Sequence, residues 1–279
     1  MDQRLQLCAF ADEAGNTLEE QIAALKDNDI PYLEIRGVDG KNVADLSAED
    51  AKRIYSRLGD HGIRIWSLGS PAGKTKITAD FSVEEERFKR LLEVADLTHA
   101  RCIRLFSFYE TAGDPAYFDE VCRRLNRFIE LAKGHSVILC HENEKGIYGD
   151  TAERCLQLHR ALPQLGCVFD PANFMQCGVN TLTAWELLAP YLTYMHIKDC
   201  APDGSIVPPG DGEGHIAELA AKYAKRGGGV MTMEPHLMEF VGLAGLEKEG
   251  DKSAVGGLKF ASNREAFDYA VKALRRITQ

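Results

Sequence analysis

Four short polar segments, each directly after an apolar run, concentrate the chemistry of this chain. They are Cys140-His141-Glu142-Asn143-Glu144, Phe169-Asp170-Pro171-Ala172-Asn173, Met195-His196-Ile197-Lys198-Asp199 and Met233-Glu234-Pro235-His236. An ionisable group at the end of a buried run carries a desolvation cost that something must offset. Singly, a Glu in such a place is ordinarily salt-bridged or solvated, and a lone His is ordinarily a structural hydrogen-bonding residue. Together, Glu142, Asp170, His196 and Glu234 are three carboxylates and an imidazole, which would repel and desolvate one another unless a divalent cation held them. Side chains alternate along a strand, so Lys198 shares the face of His196 and Asp199 takes the other. The same parity puts Glu142 and Glu144 on one face. Either could be the ligand, and Glu142 is preferred because it lies nearer the apolar run.

For these segments to meet, they must end neighbouring elements that point the same way. Eight aliphatic or β-branched runs supply such elements: Leu5–Phe10, Tyr32–Arg36, Arg64–Leu68, Cys102–Phe108, Val137–Glu142, Cys167–Asp170, Leu192–Ile197 and Val230–Glu234. Between them lie stretches of helical period such as EERFKRLLEVADL and FDEVCRRLNRFIELA. Thr17 with Glu20, Ser47 with Asp50, Ser82 with Glu85 and Ser262 with Glu265 have the spacing of helix N-caps. Unbroken β–α alternation implies a parallel sheet, because parallel neighbours need crossover helices. Eight units, at about 35 residues each, predict an α/β fold of the closed (β/α)8 kind. An open doubly wound sheet fits less well, since the first strand runs into Ala11-Asp12-Glu13-Ala14-Gly15-Asn16 with no glycine-rich fingerprint. No Pro/Gly/Ser-rich linker divides the chain, so residues 1–279 are read as one domain. In such a barrel the active face lies at the C-terminal ends of the strands, where the four segments fall.

Lys and Arg number 33 against 42 Asp and Glu, a formal charge of −9. That balance argues against nucleic acid or an anionic membrane as partner. No apolar run is long enough to span a bilayer, and the first residues do not read as a signal peptide. The eight cysteines are scattered, with no CxxC, and five lie in or beside apolar runs. They read as reduced thiols of a cytoplasmic protein.

Secondary candidates surround the four. Glu34 and Arg36 share a face of the second strand, and Arg104, inside the run IRLF, needs a buried partner, for which Glu34 is the simplest choice. Arg104 could otherwise meet a substrate oxygen. Trp66, Phe106 and Phe108 could form an apolar wall against a ligand or simply pack the core, and His141 and His236, beside the ligand candidates, could contact what binds there. The polar loop PPGDGEGH at 208–215 could close over the site or cap the next helix. The stretch from Pro235 to Ala261 contains MEFVGLAGL, apolar enough for a lid or an oligomer contact.

The motifs HEN at 141–143, FDPAN at 169–173, HIKD at 196–199 and MEPH at 233–236 resemble those of the xylose-isomerase-like TIM-barrel superfamily. That superfamily holds sugar isomerases and epimerases, inosose dehydratases and endonuclease IV. The resemblance implies that Glu142, Asp170, His196 and Glu234 bind one divalent ion, manganese first, with magnesium, cobalt or zinc as alternatives. The Glu-Asn pair at 142–143 also matches the superfamily pattern. It further implies Glu142 and Glu234 as acid and base on opposite sides of a small sugar, polyol or hydroxy-carbonyl substrate, with proton transfer through an enediolate. Lys198, Asn173, Arg104, His141, His236 and Trp66 would be substrate contacts, and the protein a homo-oligomer. An inosose-dehydratase-type lyase and a non-catalytic sugar- or metal-binding barrel are the alternatives. Two departures stand out: Asn173 where the epimerases and the endonuclease look like D-x-x-H, and Pro202 where the 3-epimerases tend to carry Arg. The third and fourth strands, RIWSLGSP and CIRLFSFY, supply none of the additional His ligands that the endonuclease needs.

Overall fold

The computed structural model describes residues 4–241 and 258–278. Eight parallel strands close into a barrel: β1 (Leu5–Ala9), β2 (Tyr32–Ile35), β3 (Arg64–Leu68), β4 (Cys102–Leu105), β5 (Ile138–Glu142), β6 (Gly166–Phe169), β7 (Leu192–Ile197) and β8 (Gly229–Met233). Each strand pairs with its neighbours in sequence, and β8 closes on β1 from Leu5↔Gly229 to Ala9↔Met233. The helices are α1 (Leu18–Asp27), α2 (Ala48–Asp60), α3 (Phe81–Thr98), α4 (Phe118–Leu131), α5 (Ala152–Ala161), α6 (Pro171–Gln176), α7 (Thr181–Leu188), α8 (Ile216–Lys225) and α9 (Asn263–Ile277). The eightfold alternation expected from the periodicity is therefore the fold, and no described helix is long and apolar enough to cross a membrane. Most of the MEFVGLAGL segment lies outside the described residues.

Local chemistry starts the helices. Thr17 and Ser47 form complete capping boxes with Glu20 and Asp50. Ser262 accepts from the Glu265 N–H, but the Glu265 carboxylate returns to Ala261 instead. Ser82 does not cap. Asp80 does, accepting from both the N–H and the hydroxyl of Ser82, because the helix starts at Phe81 and Ser82 is already inside its first turn. The fourth strand also ends earlier than expected, at Leu105. Phe106 and Phe108 turn their N–H groups to Ala72 and Gly73 in the loop after β3. Gly73 has φ +81°, and a Cβ there would sit 2.0 Å from the Phe106 carbonyl oxygen, so only glycine allows this approach.

Two apolar regions hold the barrel. The larger lies between strands and helices; the smaller fills the barrel interior with Cys8, Cys102, Cys140, Val168, Tyr194 and Val230, and Tyr32, Trp66 and Ile138 pack against it. All eight cysteines are unpaired and six are buried, as small core residues should be. Above this plug the interior turns polar. The Tyr194 hydroxyl donates to Glu34 Oε1 at 2.8 Å and lies 3.1 Å from Ser67 Oγ.

In the outer layer His159, fully buried on α5, stacks on Tyr191 with ring centroids 5.1 Å apart and stands edge-on to His141. Burial pushes its pKa down to about 4. The folded protein thus keeps His159 neutral, whereas the unfolded chain protonates it below about 6.5. Its contribution is complete above that pH and is lost as pH falls toward 4. We expect His159→Phe to flatten the stability loss between pH 6.5 and 5 by about 1–2 kcal/mol, read from urea unfolding at the two pH values. Equal slopes in the two proteins would contradict this.

Candidate metal centre

The C-terminal rim of the barrel brings Glu142, Asp170, His196 and Glu234 together. Glu142 is the last residue of β5, Asp170 follows β6, His196 lies near the end of β7 and Glu234 follows β8; all four are buried. One donor atom from each lies within 4.8 Å of those of the other three. His196 Nδ1 is 3.0 Å from Glu142 Oε1 and 3.2 Å from Glu234 Oε2, while its Nε2 is 3.2 Å from Glu34 Oε2. The edge of Phe10 packs on the imidazole. With Nε2 turned to Glu34, Nδ1 is the nitrogen left to face the carboxylates.

Neighbouring groups fix these side chains. Asp170 and Asn143 bond reciprocally, the Asp170 N–H to Asn143 Oδ1 and the Asn143 amide to the Asp170 carbonyl, both at 2.9 Å, tying the ends of β5 and β6. Asp170 Oδ1 caps α6 by accepting the Asn173 N–H at 2.8 Å, with Pro171 at the first helical position. The Asn173 amide donates to the Asn143 carbonyl at 3.0 Å and to Glu142 Oε1 at 3.4 Å. Glu34 accepts further from Tyr194 and from the Thr232 hydroxyl. Lys198 Nζ reaches Asp170 Oδ2 at 2.9 Å and Glu234 Oε2 at 3.4 Å.

Other expectations resolve differently. Arg104 pairs with Glu142, 3.1 Å from Oε2, and not with Glu34, whose oxygens are taken by His196, Tyr194 and Thr232. Glu144 meets Lys74 at 3.0 Å, so Glu142 alone of the two joins the cluster. Trp66 is not brought to the site: it packs edge-on against Tyr32 and Tyr194 and lines a cavity with Gln6, Thr193 and Gly229, beside the strand starts. His141 is not brought there either. By the alternation along β5 it points to the helix layer, with Nε2 3.0 Å from Ser107 Oγ and the ring against Gly149. His236 does come near, 3.4 Å from both Glu13 and Glu234. The 208–215 loop folds around Asp199, which accepts N–H groups from Gly210, Gly212 and Gly214. Sequence reasoning passed over Asp12, Glu13 and Asn143. Asp12 and Glu13 follow an apolar strand as the four ligand candidates do, and that was the available signal.

The electrostatics follow from burial against pairing. Burial opposes the charge on His196, yet Glu142, Glu34 and Glu234 overcome it and raise its pKa well above the usual imidazole range. Burial would raise Glu234 too, but Lys198 and His196 hold it well below the ordinary carboxylate value. Asp170 goes the other way: burial outweighs Lys198 and pushes it up to about 6. Burial also opposes Lys198, whose pKa Asp170 and Glu234 nevertheless raise.

These residues fit a divalent cation. Glu142 Oε2 and Asp170 Oδ2 are buried and accept no well-formed hydrogen bond; each faces only a cationic side chain. Unsatisfied buried carboxylate oxygens beside an imidazole nitrogen form a mixed oxygen–nitrogen donor set of the kind that first-row divalent ions accept.

A (β/α)8 barrel with a buried carboxylate–histidine cluster on its C-terminal rim defines the class. The chain belongs to the xylose isomerase-like TIM barrel family, whose profile matches residues 22–263. Similar solved structures include the probable 3-DHS dehydratase AsbF of Bacillus anthracis, 16% identical, TM-score 0.73, covering 99% of this chain and 98% of that one. D-psicose 3-epimerase of Clostridium cellulolyticum H10 with D-tagatose is 14% identical, TM-score 0.74, covering 98% and 99%. The IOLI protein, described with a zinc atom, is 17% identical with TM-score 0.70 and 98% coverage of both chains. No curated protein matches the chain in sequence.

Glu34 orients the imidazole by its contact with Nε2, so Glu34→Gln should weaken Mn²⁺ binding by about 10–100-fold without unfolding the protein. A manganese titration followed by electron paramagnetic resonance reads this directly. Undiminished affinity would show that the Glu34 contact does not orient a ligand.

Proposed function

We propose that this protein is a divalent-metal-dependent isomerase or epimerase of a small ketose, polyol or related hydroxy-carbonyl compound, with Glu142, Asp170, His196 and Glu234 as ligands. The observation that carries this reading is the placement of Glu142 and Glu234. They approach the same His196 Nδ1 from β5 and from the end of β8, and each is braced by its own arginine, Arg104 and Arg36. Two carboxylates converging on one centre from different strands can remove a proton from one face of a bound substrate and return it to the other. A bound divalent ion would draw electrons from a carbonyl and its adjacent hydroxyl, acidifying the proton between them. Lys198, held as an ammonium between Asp170 and Glu234, donates to a substrate oxygen. Arg104 and His236 stand close enough to the cluster to contact substrate, and Asn173 holds Glu142 in place. Eight unpaired thiols fit work in a reducing compartment such as the cytoplasm.

A second reading, a lyase that removes water from a cyclic polyol ketone, is favoured by Lys198. A buried ammonium is well placed to assist a leaving hydroxyl. The two reactions share the first proton removal and differ in whether an oxygen departs.

Purified protein loaded with Mn²⁺ should exchange a carbon-bound proton of at least one member of a panel of ketoses and inososes for deuterium from D₂O. Mass spectrometry distinguishes exchange alone from exchange with loss of water. Glu142→Gln and Glu234→Gln should each slow exchange by at least about 100-fold. Metal binding with no exchange anywhere in the panel would count against turnover and favour a binding barrel.

A further inference from the structure

Arg36 is buried one residue beyond β2, and its guanidinium is engaged on every side. Nε and Nη2 grip Asp12 at 2.9 Å each, and Nη2 meets Glu13 Oε1 at 3.1 Å. Nη1 reaches Glu234 Oε1 at 3.0 Å and lies 3.5 Å from His236 Nε2. The guanidinium carbon packs on two rings, 4.3 Å from the centroid of Phe10 and 4.5 Å from that of Phe240. Glu13 Oε2 in turn accepts the backbone N–H of His236 at 2.7 Å, which ties the segment after β8 to the end of β1.

This arrangement divides the Glu234 carboxylate. Oε1 faces Arg36 at 3.0 Å and, farther off, His236 Nε2 at 3.4 Å, while Oε2 faces His196 Nδ1 at 3.2 Å and Lys198 at 3.4 Å. The terminal torsion of a glutamate is broad and nearly two-fold, so with only the longer 3.4 Å His236 contact left on Oε1 the group could turn either oxygen, in many planes, toward the cluster. Neutralisation alone does not explain the contact, because Asp12 already supplies Arg36 with a bidentate counter-charge. A planar fork gripped along one edge by Asp12 presents its remaining nitrogen in one direction only.

We infer that Arg36, locked by Asp12 and Glu13, is the positioning residue that presents Glu234 Oε2 to a divalent cation. The inference rests on the metal-centred reading of the site and goes beyond it by assigning a function to the Asp12–Glu13–Arg36 group.

The test compares the full chain with Arg36→Lys, Arg36→Ala and a His196→Ala control. Mn²⁺ titration by electron paramagnetic resonance is set beside thermal unfolding of each protein. Arg36→Lys, which keeps charge without the fork, should bind Mn²⁺ about 10–100-fold more weakly while unfolding within a few degrees of the wild type. Arg36→Ala should lose as much, and millimolar methylguanidinium, fitting the slot against Phe10 and Phe240, should restore most of it. His196→Ala should be weak and unrescued. Should Arg36→Ala fail to fold, Arg36→Lys decides. Wild-type affinity in the folded variants, or losses that follow the unfolding temperature with no rescue, overturns the positioning role while leaving the metal site standing. A wild-type protein that binds no Mn²⁺ removes the metal reading and this inference with it.

Discussion

His196 sits buried among the carboxylates of Glu34, Glu142 and Glu234, and the conformation of the barrel rim is organised by the need to make that grouping tolerable. Nothing in the apolar plug beneath can screen these charges, so each must find a counter-charge or a hydrogen bond within a few ångströms. Asn143 and Asn173 hold the ends of β5 and β6 so that Glu142 and Asp170 converge. Tyr194 and Thr232 fix Glu34 beneath the imidazole. The cost of an unpaired buried charge, larger than that of a lost apolar contact, makes this rim the most narrowly specified part of the molecule.

The charges themselves do not balance within the protein. Asp12, Glu13, Glu34, Glu142, Asp170 and Glu234 are buried together with Arg36, Arg104, Lys198 and His196 as the cationic groups of the same network. Six acids against four bases, with His196 counted as protonated and the imidazole of His236 beside Glu13 and Glu234 counted as uncharged, leave a surplus of two negative charges, the charge one divalent ion would offset. Burial opposes ionisation most visibly at Glu13 and Asp170, whose pKa values it raises although Arg36, His236 and Lys198 stand nearby.

Much of this was legible in the residues alone, because two periodicities carry it. All eight strands were placed from their apolar runs, and parity along β7 put Lys198 on the face of His196, where both meet the cluster; parity along β5 put Glu142 and Glu144 on one face, and Glu142 alone of the two joins it. The same parity turns His141, the neighbour of Glu142, outward against Ser107 and Gly149. Trp66 escaped such reasoning. It lies among the strand starts with Gln6, Thr193 and Gly229, packed on the apolar plug beneath the polar rim, and an aromatic in a strand does not announce its depth in the barrel. The partner of Arg104 was missed because a choice between two buried acids depends on which oxygens are already occupied, a property of the assembled rim.

Asn173 shows how a departure from a family motif should be weighed. The resemblance to the 3-epimerases and the endonuclease leads to the expectation of D-x-x-H here, and Asn173 departs from it. In the folded chain the four remaining donors already meet within 4.8 Å of one another without residue 173. The asparagine amide instead donates to the Asn143 carbonyl and reaches Glu142 Oε1, bracing a ligand candidate from the side opposite Arg104, which holds Oε2. An amide cannot change charge near neutral pH, whereas an imidazole can. The substitution thus removes a titratable group from the site and keeps a hydrogen-bond donor there. The candidate donor set for a cation is left whole.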